Sequence, residues 1–109
     1  MAYNKSIEQQ IDFLIRSWPN IEKKKMFGGV CYLTRGNMCF GIWQEDLIVR
    51  TDTATAQTQL QKEHVRPFDV IGKPMKGWLM VASQAWDTDE TMNTWLVMGR
   101  DFAWTLPEK

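Results

Sequence analysis

Few side chains in this chain are of a type that does chemistry. His64 is the sole histidine, and Cys31 and Cys39 are the sole thiols. A histidine acting as general base or metal ligand needs partners held against it. Its neighbours Glu63 and Arg66 fall in a polar stretch, so His64 reads as a solvated side chain. A closed zinc site takes four ligands, and no second Cys/His pair exists to complete one around Cys31 and Cys39. Both thiols read as small buried hydrophobes. Gly28-Gly29 leads into a strand, not a helix, so it does not form a phosphate-cradling loop. The carboxylates are scattered. This inventory points to no catalytic residue, no metal and no cofactor, and the chain is expected not to be an enzyme.

The basic residues offer more. Lys23, Lys24 and Lys25 form a run, Lys73 and Lys76 flank the entry to a later strand, and Arg50 and Arg66 border another connection. Gathered at one end of a fold, they could grip phosphates while Trp43 or Trp78 stacks on a base. Lysines near strand ends also solvate a sheet edge and deter aggregation. Thirteen basic residues balance thirteen acidic ones, so no global field draws nucleic acid or membrane. The edge-solvating reading is preferred, and nucleic acid is the alternative partner.

These residues must be positioned by a single domain spanning residues 1–109, since a chain of this length supports one core. A hydrophobic fraction of 44% argues against disorder. No apolar run approaches the roughly 18–20 residues of a membrane span, and the N-terminus lacks the apolar segment of a signal peptide. Two cysteines make no disulfide framework. The expected location is the cytoplasm, with both thiols reduced.

The stretch Met26 to Thr51 reads as three short strands joined by two tight turns. Gly36-Asn37 suits a two-residue type II′ loop, which pairs Leu33 with Phe40 and Cys31 with Ile42. Cys31, Leu33, Phe40 and Ile42 then share one face, and Val30, Tyr32, Cys39, Gly41 and Trp43 the other. A helix from about Ser6 to Ser17 precedes the strands, with Ser6 and Gln9 as a capping box and an apolar stripe of Ile7, Ile11, Leu14, Ile15 and Trp18. Asn20 to Lys25 reads as a polar connector. After the strands come a short helix capped by Asp52 or Thr53, and a loop over residues 63–67. Phe68 to Ile71 pairs briefly, Met75 to Ala82 forms a fourth clear strand, and a last helix runs from Asp89 to Leu106. Its stripe contains Met92, Trp95, Leu96, Gly99, Phe102, Ala103 and Leu106. The predicted fold class is α+β: an antiparallel sheet of four to five strands. An N-terminal helix, a short middle helix and a long C-terminal helix pack against it.

With the segments placed, the chain resembles the N-terminal domain of the TfoX/Sxy family, bacterial proteins named for regulators of natural competence. The matching residues are Met26-Phe27-Gly28-Gly29-Val30, Gly36-Asn37-Met38, Leu47-Ile48-Val49-Arg50 and Arg66-Pro67-Phe68. They continue through Gly72-Lys73-Pro74-Met75-Lys76-Gly77-Trp78 to a final helix with Asp89, Trp95 and Leu106-Pro107. The combination, in order over nearly the whole chain, is the specific signal. The resemblance implies an antiparallel sheet with helices against it and brings no catalytic set. Longer members carry a second, helical domain after this one, which lies outside this sequence, so a competence role need not carry over.

The expected function is a non-catalytic regulatory or adaptor domain acting on an unidentified protein partner. Val30, Tyr32 and Trp43 form the expected self-association face, because helices on the first face would leave them uncovered. A two-fold homodimer is the natural use of such a patch.

Overall fold

In the computed structural model, which describes residues 3–26, 28–68 and 76–108, three α-helices lie against a six-stranded antiparallel sheet. The first helix, α1, spans Lys5–Leu14. Its cap is Asn4 and not the expected Ser6: the Asn4 side-chain oxygen accepts from the Ser6 N–H at 2.8 Å. Ile7, Ile11 and Ile15 are buried as the spacing predicts, with Leu14 and Trp18 partly buried beside them.

Two strands were not legible as strands. Strand β1, Ile21–Met26, occupies the stretch expected to be a polar connector. It pairs with β2, Gly29–Thr34, in unbroken register from Ile21↔Thr34 to Met26↔Gly29. Its polar sequence hides it because an edge strand needs little apolar content. The chain continues through β3, Asn37–Trp43, and β4, Asp46–Arg50, into α2, Thr53–Gln59, capped by Asp52. Residues 65–67, expected as loop, form the short strand β5, Val65–Pro67. It pairs with β6, Trp78–Val81. Pro67 is tolerated because it lies on the opposite edge. The sheet order is β1-β2-β3-β4-β6-β5. The pairing expected over Phe68 to Ile71 lies, beyond Phe68, outside the described residues.

The β2–β3 hairpin corrects the expected register. Its loop is Arg35-Gly36, with φ of 54° and 82°, the doubly left-handed pattern of a type I′ turn. This loop sets Leu33 against Met38, and beyond a break in register Tyr32 faces Phe40 and Val30 faces Ile42. Cys39 is the extra residue where the register breaks, a β-bulge. One residue of slip exchanges the faces of β2. Val30, Tyr32, Phe40 and Ile42 together lie under the helices, joined by Leu47, Val49, Leu79 and Val81. Cys31, Met38, Ile48, Met80 and Phe68 form a second cluster on the other face, with Leu33, Trp43 and Trp78 at its margin.

The last helix, α3, Asp89–Trp104, completes the main core with Met92, Trp95, Leu96, Gly99 and Ala103 buried. Its N-terminus is closed by a Thr88–Thr91 capping box, and the Trp95 indole donates to the Ala85 carbonyl at 3.1 Å. At Gly99 the helix backbone meets the bulge, and a Cβ there would collide with the Cys39 carbonyl oxygen. Backbone on both sides leaves no flexible atom to yield. Gly99→Ala should cost about 1–3 kcal/mol through overpacking, even after the better helix propensity of alanine by about 1 kcal/mol. Denaturant unfolding checks this, and a neutral or stabilised variant would show that helix and sheet stand farther apart.

Candidate functional site

The densest gathering of ionisable groups lies where α1 meets β1. Glu8 and Asp12, four residues apart, project from one side of α1. Lys23 projects from β1 towards them, its Nζ 2.9 Å from Glu8 Oε2 and 2.8 Å from Asp12 Oδ2. Tyr32, directly across the ladder from Lys23, donates its hydroxyl to Asp12 Oδ1 at 2.8 Å. Tyr3 donates to Glu8 Oε1 at 3.1 Å. Lys23 also lies over the Tyr32 ring, 5.5 Å from its centre. Neither the carboxylate pair nor Lys23's partners stood out in the sequence. The spacing of Glu8 and Asp12 was visible, but nothing indicated a strand opposite them.

Burial alone would raise the Glu8 carboxyl, but hydrogen bonds from Lys23 and Tyr3 and the charge of Lys23 hold it below its ordinary value. Burial alone would lower Lys23, yet its bonds to Asp12 and Glu8 raise it instead. Burial, reinforced by the bond to Asp12, pushes the Tyr32 hydroxyl well above the ordinary range. Each group is thus held in the protonation state it already has at neutral pH. The cluster clamps α1 onto β1, and Glu8, Lys23 and Tyr32 are each shifted away from proton exchange near pH 7.

The remaining basic residues do not converge. Lys24 and Lys25 are exposed on β1, while Arg66 lies on β5 at the far edge of the sheet and pairs with Asp46. Arg50, on β4, sets its guanidinium over Trp78 at 5.2 Å and Phe102 at 5.5 Å. Lys76 is exposed, and Lys73 lies outside the described residues. Among the described residues the expected basic set is spread out: β2, β3, β4 and β6 separate Lys23, Lys24 and Lys25 from Arg66. Of the two stacking candidates, Trp78 is occupied by Arg50 and by Phe68 at 6.0 Å.

The expected self-association face is also divided. Val30 and Tyr32 are buried beneath the helices, whereas Trp43 lies on the opposite face. The thiols likewise sit on opposite faces, both buried. Burial pushes Cys31 up and Cys39 up to about 12, so both stay protonated and weakly nucleophilic. His64 is exposed with φ of 70°, and its carbonyl accepts from Ala82 at 2.8 Å. Its backbone, more than its imidazole, serves the fold. Among the described residues, no helix is long and apolar enough to cross a membrane.

An antiparallel sheet backed on one face by a long C-terminal and a shorter N-terminal helix defines an α+β domain. The chain belongs to the TfoX N-terminal domain family, whose model matches residues 14–103. No curated protein matches it.

The clamp makes a pH prediction. Glu8, with a folded value below its ordinary one, adds stability above about pH 4.5 that is lost as pH falls through the folded value. Lys23 and Tyr32, both raised, add stability below about pH 10 that is lost as pH rises towards their folded values. Tyr32→Phe should lower neutral-pH stability by about 0.5–1.5 kcal/mol, one hydrogen bond's net contribution, and reduce the alkaline loss. Unfolding curves from pH 4 to 11 check both. An unchanged alkaline limb in the variant would remove Tyr32 from the account.

Proposed function

We propose that this chain is a non-catalytic regulatory or adaptor domain that works through protein contacts. Membership of a family named for competence regulators carries this reading. The commitment of Glu8, Asp12, Lys23 and Tyr32 to holding α1 on the sheet agrees with it. A tagged chain should retain a defined partner that an exposed-surface variant loses without loss of folding. Reproducible turnover of a metabolite by the purified chain would overturn the reading. Nucleic acid is the weaker alternative, because its cationic residues are spread over both edges of the sheet. Such binding would weaken steeply with salt, and tight, salt-sensitive binding of DNA or RNA would replace the protein-contact reading.

Two-fold self-association stays in the proposal only through Trp43, which shares its face with Leu33 and Trp78. Partial exposure of these three side chains makes that margin an apolar surface available to a second copy. Sedimentation at micromolar concentration should then find a dimer that dissociates on Trp43→Glu. A strict monomer would remove self-association.

A further inference from the structure

The two edges of the sheet are finished differently. β5 is three residues long and contains Pro67, which has no N–H to offer; its Arg66 is bound to Asp46. Shortness and proline are both ways of closing an edge to further pairing. β1 has neither. It is six residues long, without proline, and lies in continuous register with β2 on its inner side. Among the described residues, no backbone hydrogen bond outside that ladder involves residues 21–26. In an antiparallel pair alternate residues turn their N–H and C=O groups away from the partner strand. The outer side of β1 therefore presents a row of donors and acceptors at strand spacing.

The side chains along this edge set what would be accepted. Side chains alternate between faces, placing Lys23 and Lys25 on the helix side and Glu22 and Lys24 on the other. Lys23 is consumed by Glu8 and Asp12. Lys24 and Lys25 are exposed and have no ion-pair partner among the described residues. Glu22 is a single opposing charge at the start of the strand. The clamp from α1 holds Lys23 and leaves the strand's other residues free of helix contacts among the ion pairs described. A second copy is a less suited occupant than an acidic segment: in the fully overlapped antiparallel register Glu22 meets Lys25, but Lys23 is set against Lys24, and like charges directly opposite are unfavourable.

We propose that the outer edge of β1 accepts an extended acidic segment of a partner protein as an added strand, with its carboxylates set against Lys24 and Lys25. This rests on the protein-contact reading and names its surface. Main-chain bonds would supply affinity, and the alternate side chains selectivity. Lysines that merely guard the edge would repel other copies and take up no strand.

The test uses the full chain and a short labelled valine-rich peptide with two adjacent glutamates, one for each face of the sheet. Two controls accompany it: the same peptide with lysine for glutamate, and the acidic peptide N-methylated along its pairing edge. The acidic peptide should bind at least about tenfold more tightly than the lysine peptide, a difference of about 1.4 kcal/mol. N-methylation should abolish binding, and hydrogen exchange should slow at outward amides within residues 21–26. The exposed pair Lys24→Glu and Lys25→Glu, checked for an unchanged melting temperature, should reverse the preference. No binding, equal binding of the N-methylated peptide, or protection confined to other strands would overturn the proposal. A partner that the tagged chain retains equally well after both lysines are reversed would also overturn it, while leaving the protein-contact reading intact.

Discussion

Helix α3 touches the sheet through backbone at Gly99, where the carbonyl of Cys39 occupies the space a side chain would need. Much of the fold follows from that contact. The bulge at Cys39 raises this carbonyl towards the helix, and a glycine lets the helix descend onto it. With the axis this close, Met92, Leu96 and Ala103 reach full burial against the sheet. The end of α3 is held by the same hairpin: Arg35 donates to the Trp104 carbonyl at 3.3 Å and stacks on its ring, and Asn37 donates to the Pro107 carbonyl at 2.9 Å. Arg35 holds a left-handed conformation, which costs an L-residue about 1–2 kcal/mol. Its contacts with Trp104 oppose that cost. Turn, bulge and helix form one mechanical unit.

The second helical contact is polar. α1 is joined to the edge of the sheet by Lys23 between two carboxylates, backed by two tyrosine hydroxyls. Partial burial strengthens such bonds while leaving the charges hydrated enough to avoid the full desolvation cost of a buried pair. A lysine run that suggests a phosphate grip is thus divided, one member holding the fold and two facing solvent. Glu8, Asp12, Lys23 and Tyr32 are engaged in holding α1 to the sheet. The protein contacts proposed above would use the polar edge of β1 and the partly exposed aromatic margin around Trp43.

The elements with strong local signals were legible in advance. The stripes of α1 and α3, a cap at Asp52 or Thr53 and three central strands follow from periodicity and local signals, as does the α+β class. The family was legible from the order of its short motifs, and the match over residues 14–103 agrees. β1 and β5 were hidden. An edge strand gains its stability from hydrogen bonds along one neighbour, which polar residues make as well as apolar ones.

Register lay beyond the sequence for a different reason. The loop at Arg35-Gly36 in place of Gly36-Asn37 moves the pairing by two residues and keeps the faces, but the extra residue at Cys39 then shifts it by one, and side-chain period two turns that single residue into a change of face. Both faces of the hairpin are apolar, so the hydrophobic pattern does not choose between them. The choice is made by α3, which needs a glycine against a raised carbonyl, and by Asn37, whose amide holds the C-terminal segment. Thus the sequence by itself determined the element types, the class and the family, because these rest on local spacing. Only the tertiary structure decided which face of β2 meets the helices, where Lys23 is held and which edge stays open, because each depends on residues far apart in the chain.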